Sequence, residues 1–202
     1  QIPVPGKHMV HNALAAIGVG VELGVDVVTS ARALASFPGV ARRSEVVSRG
    51  RGPVVVDDYG HHPTEIRETL AALRAAWLSD GGRLVVLFQP HRFSRTQELY
   101  AEFLDVFADA DRVIVTDIYS AGEPPIPGVT GEGLAQSLRH PAAQYAPDPR
   151  LSAAELIDEL GQSDVLLTLG AGDISSLAHE IAQLLMGEPT EGRKRARTVP
   201  GH

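Results

Sequence analysis

From Val54 onward, short runs of continuous apolar residues alternate with longer stretches in which apolar positions recur every three or four residues. Val54–Asp57, Arg83–Phe88, Arg112–Asp117 and Val165–Leu169 read as buried strands, and Ser44–Ser48 as a first strand ahead of them. Pro63–Leu78, Arg95–Phe107, Gly131–Leu138, Ser152–Leu160 and Asp173–Leu185 read as helices. Ile66, Leu70, Leu73 and Trp77 form one helical stripe, and Leu99, Phe103, Val106 and Phe107 a second, all turned inward. Strands this apolar, separated by helices, specify an α/β fold: a Rossmann-like, mostly parallel, doubly wound sheet with helices on both faces. Ahead of it, Val10, Leu14, Ile17 and Val21 mark a helix from about His8 to Leu23, followed by another over Val27–Ser36. Two helices bury little by themselves. Residues 1–39 are therefore expected to be the end of a preceding domain, with Phe37-Pro38-Gly39-Val40 as a hinge and 40–186 as the second domain. Residues 187–202, rich in Gly, Pro and Arg, are expected to be a solvated, disordered tail.

The chemistry concentrates where strands hand over to helices. Asp57-Asp58-Tyr59-Gly60-His61-His62-Pro63 follows the Val54-Val55-Val56 run, and Pro63 suits the first turn of a helix, where its missing N–H would be unpaired anyway. This edge of an open α/β sheet is where ligands bind. A polar turn with one capping residue accounts for one Asp and one His, but not for the whole cluster. Phe88-Gln89-Pro90-His91-Arg92-Phe93-Ser94-Arg95 leaves the next strand at the same edge. Arg92 and Arg95 stand three apart at a helix start, where cations oppose the helix dipole. Solvated surface arginines are the plain alternative, but an anion held between two guanidinium forks explains the placement better. The loop from Asp117 to Pro125 could wall the same cleft. Gly170-Ala171-Gly172-Asp173 is another strand-to-helix turn, in which a lone Gly-x-Gly is weak evidence of a ligand and Asp173 reads as a helix cap.

Composition narrows the classes. A formal charge of −7 argues against a nucleic-acid groove. The absence of cysteine excludes disulfides and thiolate metal sites and fits a reducing cytoplasm. No apolar run approaches the roughly 18 residues of a membrane span. Metal: none is expected to be bound, because His61 and His62 are adjacent and diverge, and a zinc site needs three or four converging ligands. No Gly-x-Ser-x-Gly elbow and no Gly-x-x-x-x-Gly-Lys-[Ser/Thr] loop occurs, so any phosphate cradle must come from elsewhere. A chain that opens at Gln1 and enters a helix almost at once is expected to be a piece of a longer protein.

Taken together, the motifs resemble the Mur ligases. Pro5-Gly6-Lys7-His8 with Asn12-Ala13-Leu14-Ala15-Ala16, and Phe37-Pro38-Gly39-Val40-Ala41-Arg42-Arg43, carry the general likeness. Asp57 to Glu65 and Phe88 to Arg95 are similar to the UDP-N-acetylmuramate–L-alanine ligase (MurC) family, and the stretches 119–128 and 170–174 fit it in the same order. The likeness runs from about Gln1 to Leu185. It implies a three-domain ATP-dependent enzyme of peptidoglycan precursor synthesis, in which the muramyl carboxylate becomes an acyl phosphate that the amine of L-alanine displaces, with Mg²⁺ offsetting charge. This chain would supply the last helices of the central ATPase domain and the C-terminal, amino-acid-binding domain, which closes over the nucleotide. Alone, without the UDP-binding domain and the P-loop, it is expected to be inactive.

By position, the resemblance puts His8 and Asn12 near the adenine and Asp58 on the ribose. Tyr59, His61 and His62 would line the junction of nucleotide and amino acid. His91, Arg92 and Arg95 would receive the alanine carboxylate, with His62, His91 and Arg92 as the catalytic set. The expected partners are ATP, L-alanine, UDP-N-acetylmuramate and the remaining domains, with neither nucleic acid nor membrane. Two departures stand out. Many members read His-Asn where this chain has His8-Met9, and Arg-Arg-Phe where it has Arg42-Arg43-Ser44, a change expected to loosen the hinge. Competing readings are the related muropeptide-recycling tripeptide ligase, a non-catalytic domain that binds small carboxylates or nucleotides, and a metal-dependent hydrolase built on His61, His62 and His91.

Overall fold

The computed structural model describes residues 2–50, 52–78 and 81–186. The expected tail, 187–202, lies outside the described residues. Two helices come first, α1 (Lys7–Glu22) and α2 (Val27–Ala35), which pack on each other and bury no residue. The apolar face expected on α1 is there, but Leu14 is 60% exposed. Asp26 caps α2 by accepting from Thr29 N.

The remaining elements are β1 (Glu45–Ser48), β2 (Val54–Asp58), α3 (Pro63–Trp77), β3 (Leu84–Phe88), α4 (Phe93–Glu98), α5 (Tyr100–Phe103), β4 (Arg112–Val115), α6 (Gly131–Ser137), β5 (Ala143–Tyr145), α7 (Pro149–Glu159), β6 (Val165–Leu169) and α8 (Ile174–Met186). They form one six-stranded sheet in the order β1-β2-β6-β3-β4-β5. Only β1 is antiparallel to its neighbour, and the other pairings are parallel. The three central strands β2, β6 and β3 are buried along their full length, as helices on both faces require. Ile66, Leu70 and Leu73 of α3 join Phe103, Phe107 and Leu134 over one face. Ala153, Leu156, Leu177 and Ile181 of α7 and α8 cover the other.

This winding fixes the site. Strand β6 returns between β2 and β3, and its following helix lies on the opposite face from those after β2 and β3. The connections therefore diverge at the C-terminal ends of β2, β6 and β3 and open a crevice there. The doubly wound α/β fold read from the alternation is the fold observed.

Three details differ from the sequence reading. The helix expected over Arg95–Phe107 starts earlier and breaks at Leu99, giving α4 and the single turn α5. The break lets Phe103 and Phe107 both meet Phe88, with ring centroids 5.8 and 5.1 Å away. Strand β5 was not anticipated, because three residues at a sheet edge carry no periodic signal. Helix α7 begins at Pro149 under an Asp148 cap, not at Ser152.

Candidate functional site

Val56 and Leu169 end in the core, and the chain beyond β2 turns sharply into α3 at His61-His62-Pro63. His62 is the N-cap: its Nδ1 accepts from Thr64 N at 3.3 Å, and Glu65 reaches back to its backbone N–H, completing a capping box. His62 therefore spends one ring nitrogen on the helix. Glu65 Oε2 also accepts from His61 N at 3.1 Å. Burial pushes the Glu65 carboxyl up, but the His61 and His62 amides, with His61 and Arg43, outweigh it and hold it below the usual range.

Asp58 is buried. Its Oδ2 accepts from Ser44 N at 2.7 Å and Ser44 Oγ at 3.1 Å, and its Oδ1 from Gly60 N at 2.7 Å. Burial raises its pKa despite these donors. A carboxylate offers about four lone-pair positions, so one acceptor position remains for a ligand. These bonds also correct the expectation of a loose hinge: Ser44 is buried and ties residues 42–45 to β2.

His8, Asn12 and Asp58 line one cavity of about 470 Å³ together with Met9, Arg43, Ser44, Glu65 and Thr69. His8 Nδ1 is buried against Gly6, away from solvent, with no hydrogen-bond partner among the described residues. An Asn amide and one open carboxylate position on the cavity wall are a donor and an acceptor of the kind a base and a sugar engage. Met9 offers Asn12 Nδ2 its sulfur, 3.8 Å away.

A chain of rings leads away from this cavity. Arg42 and Arg43 lie over the Tyr59 ring, 4.9 and 5.4 Å from its centroid. Tyr59 meets His61 edge-on at 5.2 Å, His61 meets His91 at 5.6 Å, and His91 stacks on Tyr119 at 5.5 Å. Tyr119 is held by paired backbone bonds, its N–H to Pro90 O and its carbonyl from Arg92 N–H. Arg95 NH1 lies 3.1 Å from His91 Nδ1. Burial, then His61, Arg95 and Arg92, push the His91 pKa down, against Glu123, so the ring is neutral near pH 7.

The two arginines expected to share one anion have different partners. Arg92, the N-cap of α4 at φ 72°, faces Glu123 Oε1 at 3.4 Å. Arg95 has no carboxylate in ion-pair range among the described residues. The anion facing Arg92 comes from the chain itself. Helix α4 has no acid of its own in its first turn, and Glu123 supplies one from a distant loop by accepting from Ser94 N and Oγ.

The glycines after β6 serve the protein's own packing. A Cβ on Gly170 (φ 149°) would stand 2.6 Å from Gln89 O, and one on Gly172 would strike the Gln89 and Tyr119 side chains. Asp173 immediately precedes α8, and its carbonyl accepts from Ser176 N at 3.0 Å. Its carboxylate accepts from Gln89 Nε2 at 2.7 Å, while Gln89 Oε1 accepts from Ile174 N at 3.2 Å.

Arg42 is the site residue that sequence reasoning missed. Its guanidinium donates to Gly170 O and Gly172 O at 2.6 and 3.2 Å and lies 3.4 Å from Asp57 Oδ2. Its double-arginine neighbourhood was the only available signal. Among the described residues no group of three or more His, Asp or Glu side chains gathers as metal ligands. Nor, among them, is any helix long and apolar enough to cross a membrane.

The fold is a doubly wound sheet with a cavity and an arginine-histidine cluster at one edge, and the comparisons place it in a family. The chain belongs to the Mur ligase family, whose glutamate ligase domain matches residues 42–172. More particularly, it is 50% identical over 192 residues to the UDP-N-acetylmuramate–L-alanine ligase of Acidithiobacillus ferrooxidans, covering 94% of this chain and 41% of that protein. It is 45% identical over 197 residues to the ligase of the same name from Sorangium cellulosum, covering 95% and 42%. The crystal structure of the UDP-N-acetylmuramate–alanine ligase MurC from Thermotoga maritima superposes with a TM-score of 0.73 at 28% identity, covering 92% of this chain and 39% of that one. The chain thus spans about two fifths of the length of the curated relatives it matches.

Proposed function

We propose that this chain is the amino-acid-binding part, with one wall of the nucleotide site, of an ATP-dependent ligase that joins L-alanine to UDP-N-acetylmuramate. The observation that carries the reading is continuity. The cavity of His8, Asn12 and Asp58 connects through Arg43, Glu65 and Tyr59 to His61, His91 and the unpaired Arg95. Residues 1–39 would then close the preceding domain, which supplies the phosphate cradle.

The hydrogen bonds support roles for the rings. Arg95 only donates, so the neutral His91 ring accepts at Nδ1 and carries its proton on Nε2. That N–H and the Arg95 guanidinium are donors for the amino-acid carboxylate. His61 Nδ1 lies 3.0 Å from Tyr59 O, which can only accept, so a neutral His61 keeps its lone pair on Nε2. In that form the Nε2 lone pair is the base we assign to the ammonium proton, freeing the nitrogen lone pair to attack the activated carboxyl while phosphate leaves. His62, tied to its helix, orients the turn. ATP supplies the phosphoryl group that activates the acceptor carboxylate. Among the described residues no three carboxylate or imidazole side chains gather to hold Mg²⁺.

The test uses the full-length protein. Phosphate release from ATP is expected only when UDP-N-acetylmuramate and L-alanine are both present, and residues 1–202 alone are expected to give none. Arg95→Ala should raise the KM for alanine by roughly tenfold or more, the loss of a charge-assisted pair, with little change for ATP. Equal loss for both substrates would remove Arg95 from the amino-acid site, and phosphate release without alanine would overturn the reaction.

A further inference from the structure

The amino-acid end of the site contains an anion that the reaction does not require. Glu123 lies 29 positions beyond Ser94, yet its carboxylate accepts from Ser94 N at 3.0 Å and Ser94 Oγ at 2.7 Å and stands 3.4 Å from Arg92 Nε. The loop turns through positive φ at both Ala121 (50°) and Gly122 (86°) to bring it there. A non-glycine residue in that region is uncommon, so the placement is imposed by the surrounding contacts. The Ser94 donors, then Arg92, hold its carboxyl below the usual range, so it is ionised at neutral pH. Glu123 and Arg92 also both act on His91, which places all three in one electrostatic neighbourhood with Arg95.

The charges there can be counted. Arg92 and Arg95 bring two positive charges, and Glu123 cancels one. We infer that Glu123 is a specificity-determining residue: by neutralising Arg92 it leaves Arg95 as the cation of this pair without a carboxylate partner among the described residues, so the site takes an amino acid with a single carboxylate and rejects acidic ones. This rests on the assignment of Arg95 to the amino-acid carboxylate. An acidic side chain entering the site would find the Arg95 guanidinium already engaged and would face Glu123 instead. Discrimination then comes from a built-in repulsive element as well as from fit.

A purely structural Glu123 would affect stability but not the ratio between an acidic amino acid and its neutral isostere. L-aspartate and L-asparagine are therefore compared as inhibitors of alanine-dependent phosphate release by the full-length protein. Aspartate is expected to bind about tenfold more weakly than asparagine, the scale of one unfavourable charge contact in a partly solvated site. In Glu123→Gln, whose amide oxygen still accepts from Ser94, the gap should shrink to about threefold or less. Ser94→Ala, which removes a hydrogen bond but keeps the charge, should retain the gap. Equal inhibition by the two in the wild type, failure of asparagine to compete, an unchanged gap in Glu123→Gln, or a gap lost in Ser94→Ala would each overturn the proposal. If thermal melting shows Glu123→Gln unfolded, the wild-type pair and Ser94→Ala decide. Phosphate release that does not depend on alanine would instead defeat the underlying assignment, whatever the isosteres do.

Discussion

Arg42→Met removes the ion pair with Asp57 together with the hydrogen bonds to Gly170 O and Gly172 O that tie the segment before β1 to the sheet. Asp57 is 0% exposed, and its Oδ1 accepts from Thr168 Oγ1 at 2.6 Å. Its Oδ2 has no hydrogen bond, only the Arg42 Nε 3.4 Å away, near enough for an ion pair but poorly aimed for a hydrogen bond. Replacing Arg42 with an apolar side chain of similar length leaves that carboxylate buried and uncompensated. Breaking a buried pair from one side costs about 3–5 kcal/mol, and because the Arg42 side chain is 27% exposed the lower end applies, roughly 3 kcal/mol. For a chain of this size that corresponds to a fall in Tm of roughly 6–12 °C. Trp77 is the only tryptophan and packs half-buried against the core, so its fluorescence follows urea unfolding directly. Asp57→Asn should cost less, about 1–2 kcal/mol, because no charge is left buried and Thr168 keeps an acceptor. The double variant should fall short of the sum by about 1–3 kcal/mol, as expected for residues in contact. A cost below about 1 kcal/mol for Arg42→Met, or additivity within about 0.5 kcal/mol, would refute the pairing.

Two further outcomes follow from the same geometry. His91 should titrate below 6.5 when its ring protons are followed by NMR, and Arg95→Ala should move it part of the way back, because burial, the largest cause, remains. Between 6.5 and the lower folded value the unfolded chain binds the proton that the folded chain refuses, so His91 makes stability fall as pH drops through that window; a folded-state value at or above 6.5 would contradict its neutrality. Gly170→Ala should destabilise by about 1–3 kcal/mol, since its φ of 149° and the nearby Gln89 carbonyl both oppose a Cβ; a neutral result in the same urea titration would show that the loop has room to move.

What the sequence revealed and what it concealed divide along physical lines. Continuous Val/Leu runs and three-to-four spacing report burial, so β2, β3, β6 and their helices were legible, as was the crowding of His61, His62, His91 and Arg95 at one sheet edge. Periodicity carries no information about a contact 29 or 128 positions away. The charge argument at Arg92 shows the consequence. It was sound that cations at the start of α4 called for an anion, but a sequence cannot reveal whether the chain or a ligand provides it. Here Glu123 answers for Arg92, leaving Arg95 open. The same holds for Gly170 and Gly172, whose lack of side chains reads equally well as room for a ligand or room for Gln89 and Tyr119. Each crossing contact — Arg42 to the β6–α8 turn, Ser44 to Asp58, Glu123 to Ser94 — joins segments at the ends of different strands. The crevice formed where those strands' helices diverge is thus held by side chains rather than by the sheet, and these three ties should decide how firmly the Arg95 end is held against the cavity of His8 and Asn12.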